Sequence, residues 1–303
     1  MRLAPDYIQF YPTLQCNRSC DFCFNRSLPR VSDTSFEDFI KLLDKITRLP
    51  VRSLDIIGGE PTLHPDLLRF VQEADRCRLR VNVSSNGTNI GVLSKIQEMG
   101  NNGCIGVSIN DFDMLNHLKE YIQQNKPVVK MVYGKTADLG LIADILMLKP
   151  EKFYLIYRDV MDFGQLHTAI PFYEFLSAAN LWEAKDSHVG AVFCSGFLPE
   201  TQTYPELAEV RCAAGTTKLG ILPDGSAYPC NLFFGRKEFL LGNIFEDSFE
   251  SIWNHRSLDF FRTFATNRCP HHKCNLHAQC HGGCPAHALK LAGDINALDP
   301  RCS

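Results

Sequence analysis

Short, mostly apolar runs typical of strands are separated along this chain by segments whose apolar residues follow the helical period. The segment 35–48, for example, starts at Ser35, a residue type that caps helices, and then repeats apolar side chains every three or four residues. The pattern predicts helices over residues 35–48, 65–76, 90–99, 113–124 and 137–148. It predicts strands over residues 7–14, 53–57, 80–84, 104–109, 127–133 and 152–157. Because parallel strands need crossover helices, these repeats predict an α/β fold, an open partial (β/α)6 TIM-type barrel.

The second half of the chain is less regular. Between residues 159 and 210 only the segment 171–182 has a helical pattern. Two strand-like runs at 218–222 and 226–228 flank the turn sequence Pro-Asp-Gly and predict a hairpin. We therefore expect three regions, namely a barrel domain over 1–170, a bridging region over 171–210 and a smaller Cys-rich domain over 211–303.

Composition and charge exclude some classes of function. The chain has 303 residues, a formal net charge of -3 and 45% hydrophobic residues. This charge argues against a nucleic-acid-binding protein, which needs clustered Lys and Arg. No run approaches the roughly 18 apolar residues of a membrane span, and the N-terminus lacks the apolar core of a signal peptide. We expect a cytoplasmic protein that binds neither nucleic acid nor a membrane.

Cysteine is abundant and unevenly placed. Of 13 Cys, eight follow residue 190 and five lie between Cys269 and Cys302. In a reducing compartment such a number indicates metal or redox chemistry rather than structural disulfides. The distribution predicts two metal-bearing regions. Cys77 and Cys104 lie outside both regions, and we expect them to be buried core thiols.

The first region is compact. Cys16, Cys20 and Cys23 follow the first predicted strand and offer three thiolates, so a four-iron cluster bound there keeps one iron open. The CxxxCxxC pattern resembles that of the radical SAM superfamily. The resemblance implies that the open iron binds S-adenosylmethionine (SAM), whose reductive cleavage yields a 5'-deoxyadenosyl radical that abstracts a substrate hydrogen. A zinc knuckle or unrelated buried thiols are the alternatives.

Polar residues at the ends of the predicted strands extend the resemblance. Gly58-Gly59-Glu60-Pro61 resembles the family's GGEP motif, in which Glu60 would accept from the ammonium group of SAM while the glycines allow close approach of the backbone. Further SAM contacts implied by the resemblance involve Phe22, Ser84, Asn86, Ser108 and Asn110. Asn110 departs from the family's usual Asp. Arg158 and Asp159 also follow a strand, where we expect them to be solvated.

The second region resembles the SPASM extension of radical SAM enzymes, which carries two auxiliary iron–sulfur clusters. The resemblance assigns Cys212, Cys230 and Cys284 to the nearer cluster, with Cys194 as the candidate fourth ligand. It assigns Cys274, Cys280 and Cys302 to the farther cluster. The remaining ligand of the farther cluster is Cys269 or His271, and we favour Cys269 because thiolate is the usual ligand of low-potential clusters. A zinc ribbon is the alternative for this region.

These features together predict a radical SAM enzyme that modifies a side chain of a peptide or protein. Expected partners are that substrate, a low-potential electron donor such as flavodoxin or ferredoxin, and a separate leader-binding protein. A strand starting by residue 7 leaves no room for a leader-binding domain of ~80 residues, so a leader peptide would need such a protein or another mode of recognition. The alternatives are a dehydrogenase or epimerase of small molecules, and a non-enzymatic electron-transfer protein.

Overall fold

Strands and helices alternate through most of the chain. The computed structural model describes residues 4–100, 102–193, 212–262 and 282–302. Its strands are β1 (Tyr7–Phe10), β2 (Ser53–Ile56), β3 (Arg80–Ser85), β4 (Ile105–Ser108), β5 (Val128–Tyr133), β6 (Lys152–Tyr157), β7 (Val189–Val192), β8 (Lys218–Ile221), β9 (Ser226–Tyr228) and β10 (Gly242–Asn243). Its helices are α1 (Phe36–Ile46), α2 (Leu67–Arg76), α3 (Ile90–Glu98), α4 (Phe112–Asn125), α5 (Leu139–Met147), α6 (Phe172–Lys185), α7 (Phe249–Trp253) and α8 (Asp259–Arg262). Short helices also form at Pro285–His287 and Pro300–Cys302.

Side-chain caps fix where several helices begin. Ser35 accepts a hydrogen bond from the backbone N–H of Asp38 at the start of α1, and Asp111 accepts one from Met114 at the start of α4. These bonds satisfy N–H groups that the first helical turn leaves without a partner. Within the described ranges, no helix has both the length and the apolar character needed to cross a membrane.

The first compact unit comprises Met1–Ser108 and Ala213–Arg262. Its strands follow the order β10-β9-β8-β1-β2-β3-β4. β1 pairs in parallel with β2 and β8, whereas β8 and β9 form the predicted antiparallel hairpin. The pairing of β8 with β1 was not predicted, because the two strands lie far apart in the sequence.

The core of this unit is aromatic. Phe10 of β1 packs against Phe39 of α1 and Phe70 of α2, with ring centroids 5.5 Å and 6.2 Å away. All three side chains are fully buried. This contact fixes the first two helices on one face of β1 and so holds the strand that leads into residue 16.

β1 is shorter than the predicted strand 7–14. Beyond Phe10 the chain contains Pro12, which has no N–H to donate to a neighbouring strand. Tyr11 still donates to the carbonyl of Ile221, and Thr34 donates to the carbonyl of Pro12. The segment therefore remains extended and buried although its regular ladder has ended.

The second compact unit comprises Ile109–Cys212 and Thr263–Ser303. Its strands β5, β6 and β7 pair in parallel. Phe175 of α6 stacks on Tyr157 of β6 with ring centroids 4.8 Å apart. β7 was not predicted, because Gly190 and Ala191, two of its four residues, have low strand propensity.

The two cysteines expected in the core are not buried. Cys77 follows α2 and is exposed, so the prediction for this residue was wrong. It caps the end of the helix through its backbone N–H, which needs no burial of the thiol. Cys104 is half-buried, and its thiol donates to Asn82 Oδ1 at 3.2 Å.

Candidate active site

The segment that leads into the cysteine loop, residues 16–23, is attached to the turn after β2 through backbone hydrogen bonds. Gly59 N–H donates to the carbonyl of Thr13 at 3.0 Å, and Glu60 N–H donates to that of Gln15 at 2.7 Å. A Cβ atom on Gly59 would overlap the Gln15 carbonyl oxygen, and one on Gly58 would lie 2.6 Å from the Thr13 oxygen. Both positions therefore need glycine, because the segment leading into the loop passes too close to leave space for a side chain. This role of the two glycines was not predicted.

The three thiols of the loop share one local environment. Cys16 is exposed, while Cys20 and Cys23 are half-buried. Cys23 N–H donates to the carbonyl of Cys20, which closes a turn, and Arg18 N–H points to Cys16 Sγ at 3.5 Å. Burial raises the pKa of Cys23, and the charges of Cys20 and Cys16 raise it further. Cys16 and Cys20 therefore lie near enough to Cys23 for their charges to act on it.

Glu60 is a buried brace between two strand ends. Its side chain is 0% exposed. Oε1 accepts from Thr62 N–H, from the Thr62 hydroxyl at 2.6 Å and from the Ser85 hydroxyl at 2.8 Å, and Oε2 accepts from Asn86 N–H at 2.6 Å. Oε2 accepts a single hydrogen bond from the described residues, so the predicted contact with the SAM ammonium group stays a prediction.

A ring of polar side chains ties the cysteine loop to the end of β3. Asn86 Nδ2 donates to Asn17 Oδ1 at 2.9 Å, Asn17 Nδ2 donates to the Thr88 hydroxyl at 2.9 Å, and that hydroxyl donates to Asn86 Oδ1 at 2.7 Å. Asn86 Nδ2 also lies 3.8 Å from Cys16 Sγ. Asn86 was predicted as a site residue, whereas Asn17, Thr88 and Ser85 were not. Their signal was a polar run directly after a strand.

The other predicted SAM contacts occupy separate positions. Ser84 lies in β3, Ser108 ends β4, and both are half-buried, as is Phe22 in the cysteine loop. Asn110 belongs to the second compact unit, where its Oδ1 accepts from Val132 N–H at 2.8 Å. One acceptor site of this amide is therefore used by β5.

Four of the predicted auxiliary ligands fall within the described ranges. In the first unit Cys230 is buried directly after β9, and the backbone of residues 230 and 231 packs 3.1 Å from the position of a Cβ on Gly220. In the second unit Cys212, Cys284 and Cys302 are half-buried. The remaining predicted ligands lie outside the described residues, namely Cys194, Cys269, His271, Cys274 and Cys280.

Comparisons with known proteins bear on both cysteine regions. The model of the radical SAM superfamily matches residues 10–150, and the SPASM model, described as an iron–sulfur cluster-binding domain, matches residues 212–285. The chain carries a radical SAM domain and a SPASM domain. The cysteine loop falls in the radical SAM domain. The SPASM match contains six of the predicted auxiliary ligands, namely Cys212, Cys230, Cys269, Cys274, Cys280 and Cys284.

Relatives of the whole chain agree with this assignment. The chain is 26% identical to the antilisterial bacteriocin subtilosin biosynthesis protein AlbA of Bacillus subtilis (strain 168), over 92% of this chain and 67% of the relative. It is 23% identical to a PqqA peptide cyclase of Streptomyces rochei, over 99% of this chain and 89% of the relative. The crystal structure of Streptococcus suis SuiB bound to S-adenosylmethionine has the same fold, with a TM-score of 0.78 at 20% identity over 99% of this chain and 77% of that chain. The predicted α/β fold with a C-terminal SPASM domain is confirmed.

The donor set of the radical SAM domain fits an iron–sulfur cluster. Its cysteine loop supplies three sulfur donors within eight residues. Across the described ranges, no three His, Cys, Asp or Glu side chains already surround a common metal position. The assignment of Cys16, Cys20 and Cys23 as ligands therefore rests on their chemistry and their shared loop, and it remains a prediction.

Proposed function

We propose that this chain is a radical SAM enzyme that modifies a side chain of a peptide or protein. One observation supports the chemistry above all. The segment leading into the cysteine loop is bonded to the Gly59-Glu60 turn, and Asn17 of the loop is bonded to Asn86 at the end of β3, within one compact unit. The substrate class follows from the relatives, one named for bacteriocin biosynthesis and another as a peptide cyclase.

In this proposal Cys16, Cys20 and Cys23 hold a [4Fe–4S] cluster. When bound, such a cluster leaves one iron for SAM and supplies the electron that cleaves it to the 5'-deoxyadenosyl radical. The protein's contribution is to hold the loop rigidly against the ends of β2 and β3. The residues proposed to face SAM are Phe22, Gly58, Gly59, Glu60, Ser84, Asn86, Ser108 and Asn110.

The SPASM domain would hold two auxiliary clusters, each proposed to be a [4Fe–4S] cluster. We assign Cys194, Cys212, Cys230 and Cys284 to the nearer cluster. We assign Cys269, Cys274, Cys280 and Cys302 to the farther one. If Cys269 is the ligand, Cys269→Ala removes about four irons and His271→Ala removes none. The reverse result would make His271 the ligand.

Two partners besides the substrate are proposed. Reductive SAM cleavage needs a low-potential electron donor, for which flavodoxin or ferredoxin is suited. A separate protein would bind the leader segment of a peptide substrate. Thiolate-bound clusters require a reducing compartment, so we place the reaction in the cytoplasm.

The test is a search for peptide-dependent hydrogen abstraction. The reconstituted chain is incubated anaerobically with SAM, dithionite and deuterated synthetic peptides encoded by short reading frames beside its gene. We expect deuterium in 5'-deoxyadenosine and a mass change in one peptide. Cys20→Ala should abolish both, and Cys77→Ala, which removes an exposed thiol outside the predicted ligand sets, should change neither.

A different result would redirect the proposal. SAM cleavage with no deuterium from any peptide, but with deuterium transferred from a small-molecule substrate, would replace peptide modification by the dehydrogenase or epimerase alternative. Clusters that undergo reduction without any SAM cleavage would indicate an electron-transfer protein.

A further inference from the structure

Two segments of the first compact unit carry positive charge beside the cysteine loop. The first, residues 24–30, contains Arg26 and Arg30 and no Asp or Glu. The second, residues 235–237, contains Arg236 and Lys237 and no Asp or Glu. The chain as a whole has a net charge of -3, so these segments are opposite in sign to the molecule that carries them. We call the two segments together the basic surface.

The two segments of the basic surface are in contact. A Cβ atom on Gly235 would lie 3.8 Å from Leu28 Cδ2 and 3.9 Å from Pro29 Cδ. These are ordinary van der Waals distances, so the second segment runs directly along the first. The four cations therefore belong to one continuous surface although they lie far apart in the sequence.

Three of the four cationic side chains are exposed and have no carboxylate partner. Within the described ranges, neither Arg26, Arg30 nor Lys237 forms an ion pair. Arg236 lies 3.7 Å from Glu238, a pair of solvent-exposed side chains that contributes little to stability. A carboxylate of a partner protein can therefore approach these cations without first breaking a strong ion pair of this chain.

Other arginines of the chain are used inside the protein. In the second compact unit Arg158 and Arg301 are each 4% exposed, and Arg301 donates to the carbonyl of Arg158 at 3.0 Å. Asp159 is also buried, so the expectation that Arg158 and Asp159 are solvated was wrong. They are buried because their partner Arg301 comes from the C-terminal segment. Such arginines hold the fold together, whereas those of the basic surface do not.

The basic surface is attached directly to the cysteine loop. Cys23, the last residue of the loop, is the N-cap of the short helix Phe24–Ser27, which contains Arg26. Asn25 of this helix donates through Nδ2 to the carbonyl of Gly58 at 2.7 Å. The helix is thus fixed both to the loop and to the glycine turn after β2. A surface that is ordered before binding loses little conformational entropy when a partner docks on it.

We propose that the basic surface docks an acidic one-electron carrier protein, which reduces the cluster held by the cysteine loop. The inference rests on the proposed function, which places a cluster at this loop and requires an electron donor. One electron leaves the reduced carrier and enters the cluster, and no proton or other group passes between the two proteins. Opposite charges accelerate the encounter and orient the carrier over the surface next to Cys23.

The position of the basic surface favours a carrier over a peptide substrate as its partner. Electron transfer requires only that the carrier lie close to the cluster, because the rate falls steeply with distance. A peptide substrate has to reach the carbon radical formed from SAM, for which an exposed surface behind the last cysteine of the loop offers no path. Electron-transfer complexes are also small and weak, and charge at their rim sets how fast they form.

The test is an anaerobic binding titration with a flavodoxin of negative net charge as the probe. Dye-labelled flavodoxin is titrated with the reconstituted full chain, and Kd is measured by fluorescence anisotropy at low and at high ionic strength. The charge-reversed variant carries Arg26→Glu, Arg30→Glu and Lys237→Glu. At low ionic strength we expect its Kd to be about tenfold higher or more, because several attractive charge pairs become repulsive. Its Kd should also depend much less on salt, since salt screens exposed charges.

Two control variants separate charge from structure. Arg26→Lys with Arg30→Lys keeps both charges and should bind flavodoxin like the unsubstituted chain. Arg80→Glu with Lys95→Glu reverses two exposed cations that also lack an ion pair within the part of the chain described. Arg80 begins β3, at the opposite edge of the sheet from the loop, and Lys95 lies in the second half of α3, which returns to that edge. This variant should change Kd much less than the charge-reversed variant.

A second measurement compares two reductants in SAM cleavage. With reduced flavodoxin, the charge-reversed variant should form 5'-deoxyadenosine more slowly than the unsubstituted chain. With dithionite, whose small ions need no docking surface, the two should form it at the same rate. If the charge-reversed variant does not fold, the single variants Arg26→Glu and Lys237→Glu, one on each segment, decide in its place.

The outcomes distinguish the inference from the proposed function. Equal affinities of the unsubstituted chain and the charge-reversed variant for flavodoxin would overturn the inference, and SAM cleavage with dithionite would leave the proposed function intact. A loss of affinity for the modified peptide, with flavodoxin binding unchanged, would overturn it in favour of the substrate. No SAM cleavage by the unsubstituted chain with dithionite would overturn the proposed function, and the inference with it.

Discussion

The cysteine loop and Cys284 are held in place by different kinds of interaction. Thr13 and Gln15, just before the loop, accept backbone hydrogen bonds from the turn after β2, and the loop is bonded to Asn86, whose N–H donates to the buried Glu60. Cys284 is held by a buried set of charged side chains centred on Asp299 and Arg301. Backbone bonds leave the loop thiols exposed or half-buried for a ligand, whereas the ion network surrounds a single thiol with charge. The loop thiols therefore stay accessible, whereas the backbone at Cys284 is fixed by a buried ion pair.

The cysteine loop and the C-terminal cysteines should bind iron independently of each other. Replacing Cys16, Cys20 and Cys23 by Ala should lower the iron content from about twelve to about eight per chain, because the ligand sets are separate. Iron and sulfide analysis after anaerobic reconstitution measures this. Near-zero iron in the triple variant would mean that the C-terminal cysteines bind another metal, with zinc the first to test.

Gly59→Ala tests the backbone attachment of the loop. The added methyl group would overlap the Gln15 carbonyl, a backbone atom that cannot rotate away. We expect a loss of about 2 kcal/mol or more in the free energy of unfolding. Gly91→Ala is the matched control, since Gly91 lies in α3 with only the Asn89 side chain nearby, at 3.9 Å. There the substitution should stabilise by about 0.5 kcal/mol. Equal changes in the free energy of unfolding of the two variants, measured by urea denaturation, would contradict this role of Gly59.

Glu60→Gln tests whether the buried carboxylate stabilises the strand ends beside the cysteine loop. An amide in place of the carboxylate sets an NH2 group against donors from Thr62, Ser85 or Asn86. We expect a loss of about 1–3 kcal/mol in unfolding free energy, together with a lower rate of SAM cleavage. Glu98→Gln, at an exposed position at the end of α3, should change neither. A fully stable Glu60→Gln variant would show that the buried carboxylate is not a brace.

Features set by neighbouring residues were predictable, and features set by distant ones were not. The spacing of Cys16, Cys20 and Cys23 and the alternation of strands and helices are local, and the α/β fold they predict is confirmed. The pairing of β8 with β1 was missed because nothing in either segment identifies its partner. Asp159 was expected in solvent for the same reason, since Arg301 lies far along the chain. Glu60 was placed at the right strand end, but its role depends on hydroxyl and amide groups that no spacing rule identifies.

The central claim is that the cysteine loop binds the cluster that cleaves SAM. Its most direct test is the formation of 5'-deoxyadenosine from SAM by the anaerobically reconstituted chain under strong reductant. The account predicts cleavage by the unsubstituted chain and by Cys77→Ala, and none by Cys16→Ala, Cys20→Ala or Cys23→Ala, because each removes one of only three thiolates of the loop. Undiminished 5'-deoxyadenosine from the triple alanine variant would contradict it.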